Sequence, residues 1–240
     1  MTRTPDLFVT NDSQLVEQRF GDDLPTRVEI ISKMAGTATD DEKSGEVARE
    51  QLRSDLQISG DAKVVTSIAP LVPASSLKDL IWANDLLHCI RHDVHLLIVG
   101  RGPQQWRLQR FARTTESKNN VHFRDDLGDV AINGADCYWN SLSEAEPEGV
   151  LTAMANGIPV VSVIHSLDQD LLQHQRTVLG VERGRRDQFA RWTKYVLEQS
   201  ESIARMTCQA QDYVHRTRRH EIIVEQFERV FLGEMSGHPA

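Results

Sequence analysis

Short apolar runs alternate with longer periodic segments along most of the chain. The runs are Leu7–Thr10, Val28–Ile31, Val64–Ile68, Leu96–Val99, Val121–Phe123, Cys137–Trp139, Pro159–Ile164 and Val178–Val181. Most are apolar at consecutive rather than alternate positions, the pattern of strands covered on both faces. Between them, Leu77, Leu80, Ile81, Asn84, Leu87 and Ile90 mark one face at the 3.6-residue period. Trp106, Leu108, Phe111 and Ala112 mark a second, and Val150, Leu151, Met154 and Ala155 a third. Strands alternating with helices predict βαβ units and a doubly wound parallel sheet of the α/β class. Toward the C-terminus the strands stop, and Phe189–Gln199, Ile203–Val214 and Ile222–Leu232 predict extra closing helices. The segment Met34–Gly45 gathers Gly, Thr, Ala, Asp and Glu and reads as a linker. The expected organisation is a front piece over 1–35, linker and helix over 36–62, the main domain over 63–235 and a frayed tail over 236–240.

Composition narrows the function. With 40% hydrophobic and 26% charged residues, the chain can bury a sizeable core and is not disordered. Its 27 Lys and Arg face 35 Asp and Glu, a net charge of −8. That balance opposes nonspecific binding to nucleic acid, so no nucleic-acid partner is expected. Thirteen of the acids, against seven basic residues, lie in the first 62 positions. No apolar stretch reaches transmembrane length, and the polar start is not a signal peptide. Cys89, Cys137 and Cys208 are far apart and form no CxxC. A disulfide framework or zinc site is therefore not expected, and a cytoplasmic location fits best.

In open parallel sheets ligands bind beyond the carboxyl ends of the strands, so the loops there carry the candidate chemistry. Gly100-Arg101-Gly102-Pro103 follows one strand. Its two glycines suit either a tight turn or a close backbone approach to a ligand at a helix start. Glu144, Glu146 and Glu148 precede the Val150–Ala155 helix. They suit either the helix dipole or the binding of sugar hydroxyls. His88 and His92 share a helical spacing, but no carboxylate or thiol completes a metal set; they read as a solvated helix end. Arg183/Arg185/Arg186 and Arg216/Arg218/Arg219/His220 read as solvated loop and helix faces.

Two longer stretches carry a resemblance. Val94 through Pro103, with Leu108 and Ala112 beyond, resembles the "xLxIVGxGPxxxxLxxLA" segment of family 4 glycosyltransferases. Ser141-Leu142-Ser143-Glu144 through Ala153-Met154-Ala155-Asn156-Gly157-Ile158-Pro159-Val160-Val161 resembles that family's "PSxxEGFGxxxxEAMAxGxPVV". Leu71, Val72 and Pro73 match part of "GRLxPxKG". The resemblance implies a GT-B fold, with this chain as the Rossmann-like, nucleotide-sugar-binding C-terminal domain. It also implies that residues 1–35 are the end of an acceptor-type N-terminal domain. Glu144 falls on the family's first-Glu position and would be catalytic. Gly100, Arg101, Gly102, Ser75, Ser141 and Thr152 fall on donor-binding positions. A nucleoside diphosphate sugar is the implied substrate, with no metal and no resident cofactor. A separate acceptor-domain chain is an implied partner, and a homodimer is the other expected one, because the two front strands are too few to bury a core alone.

The departures from the pattern are also specific. The family's diphosphate-binding Arg and Lys align with Pro70 and Ser75, and its second Glu aligns with Thr152. Its Gly-Phe-Gly aligns with Ala145-Glu146-Pro147, and a later Gly-Gly pair with Ser166-Leu167. Arg101 and Lys78 are the nearby candidates to replace the missing cations. Stabilisation of a leaving diphosphate is a large electrostatic contribution. The chain is therefore expected not to transfer sugar alone. The alternative is a pseudo-glycosyltransferase that only binds.

Overall fold

The computed structural model describes residues 7–10, 27–30, 42–142, 148–164, 171–218 and 224. The chain forms two compact units, residues 1–35 with 213–240, and residues 36–212. In the first, β1 (Leu7–Thr10) and β2 (Arg27–Ile30) pair in parallel, Leu7 opposite Arg27. Both coincide with predicted runs.

The second unit holds α1 (Glu42–Asp55), β3 (Lys63–Ile68), α2 (Leu77–His88), β4 (Val94–Val99), α3 (Gln105–Ala112) and β5 (Val121–Arg124). These are followed by α4 (Gly128–Asn133), β6 (Cys137–Asn140), α5 (Glu148–Ala155), β7 (Val160–Val163), β8 (Leu179–Val181) and α6 (Arg186–Glu198). Helix α7 (Ser200–Thr217) comes next. The third predicted closing helix, Ile222–Leu232, lies almost wholly outside the described residues. The strands form one parallel sheet in the order β5-β4-β3-β6-β7-β8. Numbered from β3, this is the 3-2-1-4-5-6 order of a doubly wound dinucleotide-type fold. The strand order reverses between β3 and β6. There the register runs over only two positions, Val65 opposite Cys137 and Thr66 opposite Tyr138.

Alternation along the strands divides the core into two layers. Val65, Leu96, Ile98, Cys137 and Trp139 face α2, α3 and α6 through Leu80, Leu87, Leu108, Phe189 and Val196. Val64, Leu97 and Val99 face the other way, against Leu52 of α1, Leu56 just past its end and Ala131 of α4. Both faces are covered, which is why the strands read as continuous apolar runs. Trp139 is fully buried and donates its indole N–H to Thr193 Oγ1 at 2.6 Å, fastening α6 to β6.

One buried ion pair ties the start of the sheet to α1. Arg53 Nη2 donates to Asp136 Oδ2 at 2.6 Å. Its Nε donates to the Ala62 carbonyl at 2.9 Å, and its Nη1 to the carbonyls of Arg49 and Gly134. Asp136 also accepts the Val64 amide at 2.8 Å, and Lys63 Nζ stands 3.6 Å from its other oxygen. Both side chains are buried.

At the sheet edge, His95 Nδ1 of β4 and His122 Nε2 of β5 lie 3.0 Å apart. Burial pushes His122 down to about 4, and the charges of His95 and Arg124 act in the same direction. His95 is also lowered by burial, against the pull of Asp93. In the unfolded chain both rings titrate near ~6.5. Between those limits the unfolded state binds more protons, so this pair withdraws stability as pH falls from about 6.5 toward 4. Thermal melting across that window should show a shallower loss for His122→Gln than for the unaltered chain. Equal pH slopes would contradict the assignment.

Candidate functional site

A cavity of about 550 Å³ opens at the carboxyl ends of β3, β4 and β6, at the point where the strand order reverses. A ligand-sized pocket falls in the range of about 300–1,000 Å³. Its floor is apolar, made by Ile68, Val99, Ile132 and Leu142. Backbone from Ala69, Pro70, Gly100 and Gly128 forms one side, and Glu148, Gly149 and Thr152 of α5 form the other.

The close approach of the β3 and β4 loops depends on glycine. Gly100 has φ +152°, and a Cβ there would sit 2.0 Å from the Ala69 carbonyl oxygen. Its amide donates to the Arg124 carbonyl at 2.9 Å, while the Ala69 amide donates to the Val99 carbonyl at 3.0 Å. A Cβ at Gly102 would meet the Leu71 carbonyl oxygen at 2.5 Å. The GxG signal in the sequence therefore reflects two loops packed backbone to backbone. Gly100 and Arg101 line the cavity; Gly102 sits behind it.

Ser75 and Ser141 hold the loops together. Ser75 Oγ donates to the Pro70 carbonyl at 2.6 Å, and Ser141 Oγ to the Ser75 carbonyl at 2.5 Å. Both are buried and neither lines the cavity. Asn140 completes the clamp. Its amide nitrogen donates to the Leu142 carbonyl and Ser162 Oγ, and its oxygen accepts the Leu142 amide.

Thr152 is buried and does line the cavity. Glu144, with the rest of 143–147, lies outside the described residues, as does the segment 165–170. Sequence reasoning about the site missed Tyr138 and did not single out Gly149. The Tyr138 hydroxyl donates to the Ile68 carbonyl at 3.3 Å, and burial pushes its pKa well above the usual phenol range. A Cβ at Gly149 would fall 2.0 Å from that hydroxyl oxygen. A glycine in the first turn of α5 is thus what lets the phenol reach across the floor. The Gly149 next to an acidic run was the available signal.

Among the described lining residues the charges are Arg101 and Glu148. Arg101 Nε donates to Asp125 Oδ2 at 2.9 Å, with both side chains exposed. The single lining cation is thus already engaged, and a carboxylate stands opposite it. Lys78, the other candidate cation, instead places its ammonium 4.6 Å over the Phe111 ring. Among the described residues no group of three or more His, Cys, Asp or Glu is gathered for a metal ion. His88 and His92 approach each other, Nε2 to Nδ1 at 3.4 Å. No described helix is long and apolar enough to cross a membrane.

The comparisons agree with this geometry. A family profile described as glycosyl transferases group 1 matches residues 48–213. The fold is similar to that of HepE from Anabaena, solved in complex with UDP-glucose. That match has a TM-score of 0.79 and 18% identity, over 95% of this chain and 64% of that one. It is also similar to sucrose-phosphate synthase from Thermosynechococcus elongatus, with a TM-score of 0.76 and 16% identity over 97% of this chain and 59% of the other. The C-terminal domain of LpcC, a group 1 family glycosyl transferase from Francisella tularensis, gives 0.62 and 13% identity. There the match spans 76% of this chain and 95% of that domain. The chain thus spans less than two thirds of the first two structures and nearly all of a C-terminal domain. No curated protein sequence matches it.

Proposed function

The chain belongs to the group 1 glycosyl transferases, and from that premise we propose that the β3/β6 cavity is a nucleotide-sugar donor site that does not turn its ligand over unaided. In this reading the chain resembles a donor-binding half of a retaining, family 4 enzyme. The acceptor surface would come from a partner, either a second copy or a separate chain. The observation that carries the donor assignment is the position of the cavity. It lies where the strand order reverses, the place at which doubly wound sheets bind nucleotides. An apolar floor of this size suits a nucleoside, and related structures were solved with UDP-glucose and UDP.

The limit on catalysis rests on charge. A leaving diphosphate brings at least two negative charges beside Glu148, and Arg101 must leave Asp125 to meet them. Hydrogen bonds to charged groups contribute about 1.5–3 kcal/mol each. Two missing contacts correspond to a rate deficit on the order of 10²–10⁴. Calorimetric titration with UDP, UDP-glucose and GDP-mannose is expected to show weak binding that Arg101→Ala weakens by roughly tenfold. Incubation with the same sugars should release no nucleoside diphosphate. Turnover that is abolished by Glu144→Gln and by Arg101→Ala would overturn the second half of the reading. Absence of any nucleotide binding would overturn the first and leave an interaction module.

A further inference from the structure

The outer surface of the α2/α3 layer differs in charge from the rest of this acidic chain. Helix α3 carries Arg107 and Arg110, with Arg113 just beyond, and no acid interrupts them. None of the three has an acidic partner among the described residues. Trp106, Arg110 and Arg113 fall at i, i+4 and i+7 and so share one ridge. Trp106 is 66% exposed. On α2, Trp82 and Leu86 form the neighbouring ridge, with Ile90 just past the helix end; all three are exposed. The two ridges meet where Trp82 packs on Phe111, centroids 5.6 Å apart.

Three of these rings bear a cation. Lys78 Nζ stands 4.6 Å over Phe111, the Arg110 guanidinium 5.4 Å over Trp106 and the Arg186 guanidinium 5.8 Å over Trp82. The acids nearby are largely occupied. Asp79 is held by Arg186 at 2.6 Å, and Asp85 accepts the Ser117 amide at 2.9 Å. Residues 77–118 hold seven Lys and Arg against four Asp and Glu, in a chain whose net charge is −8.

We propose that this face docks on an anionic lipid surface. Large apolar groups stand exposed between unpaired cations, the arrangement that suits an interfacial layer. Tryptophan rings enter the headgroup boundary, and arginine stems bury while their heads reach lipid phosphates. Each basic residue near such a surface adds to the attraction. A second copy of the chain fits worse, because a twofold contact would set this cationic ridge against itself.

The test uses the full chain with vesicles of phosphatidylcholine containing about 30% phosphatidylglycerol, against phosphatidylcholine alone. Co-sedimentation with the anionic vesicles is expected, with a blue shift of tryptophan emission that Trp106→Ser diminishes. Binding should fall at least tenfold in ~0.5 M salt. It should fall as far in the triple variant R107E/R110E/R113E, whose melting temperature should stay near that of the unaltered chain because the three side chains are exposed. Failure to bind anionic vesicles at low salt would overturn the proposal. So would equal binding to neutral vesicles, or binding undiminished in the folded triple variant. Self-association without lipid that the triple variant abolishes would reassign the face to a second copy.

Discussion

Asp136→Ala is expected to leave the α/β unit largely unfolded in mild denaturant, with a loss of about 3–5 kcal/mol. Typical domain stability is only about 5–15 kcal/mol, so such a loss is a large share of the total. The substitution removes the acceptor of both Arg53 Nη2 and the Val64 amide. It strands a buried guanidinium whose other donors are fixed on the carbonyls of Ala62, Arg49 and Gly134. Lys63 stands 3.6 Å away at the strand start and is about one-third exposed, so it can turn to solvent. Arg53 cannot do the same. Arg53→Met combined with Asp136→Leu should recover part of the loss, because removing both partners leaves no buried charge unpaired. Urea unfolding of the two single variants and the double variant measures this. Single variants that lose less than about 1 kcal/mol would show that the pair contributes no more than a surface ion pair.

Gly100→Ala is expected to close the candidate cleft. The new Cβ would stand 2.0 Å from the Ala69 oxygen and 3.0 Å from its carbonyl carbon, at a φ of +152°. The obstacle is backbone at the end of β3, so no side-chain rotation relieves it. Conformational strain and overpacking together correspond to about 2–5 kcal/mol. The β3 and β4 loops must part, which moves Ala69 and Pro70 out of the cavity wall. Nucleotide binding measured by calorimetry should disappear while the circular dichroism of the helices persists. Gly60→Ala provides the control, since nothing lies within 4 Å of a Cβ at that position. Binding retained by Gly100→Ala at the unaltered affinity would mean the ligand sits elsewhere.

Much of the fold could be read from hydrophobic order alone. Leu96 through Val99 is apolar without a break, and Val64 through Ser67 is buried throughout, Thr66 and Ser67 included, because each strand is covered by helices on both faces. That double burial removes the alternation of a half-exposed sheet. The amphipathic helices were legible for the complementary reason, one stripe being buried as with Leu80, Leu87 and their neighbours on α2, whereas α5 is buried all round from Val150 to Ala155. The site was harder to read, because its walls are assembled by strand order and not by sequence neighbourhood. Tyr138 reaches Ile68 because β6 lies beside β3, a pairing between segments about 70 residues apart. Ser75 and Ser141 had the right side chains for phosphate, yet their hydroxyls are spent on main-chain carbonyls. A hydroxyl satisfies either role, and only the position of the neighbouring loop decides between them. Arg101 was legible as a lining cation, whereas its pairing with Asp125 depends on how two loop ends converge.

The short register between β3 and β6 has a consequence for how the unit opens. Strands β5, β4 and β3 form one half of the sheet, and β6, β7 and β8 the other. Along the join the strand register covers Val65 and Thr66, with the Asp136 amide donating to the Val64 carbonyl beside it, whereas β3 meets β4 over six positions, from Lys63 opposite Val94 to Ile68 opposite Val99. Within β3–β4 the chain need only close a local βαβ loop, but the join requires closure across some 70 residues, the slower class of event. Amide protons along β6 should therefore exchange with solvent sooner than those of β4, through sub-global opening that leaves each half intact. The cavity straddles this join, with Ile68 and Val99 from one half and Tyr138 and Leu142 from the other. A ligand seated there would act as a bolt across the two halves. By linkage it would slow exchange most in β6, in proportion to its occupancy.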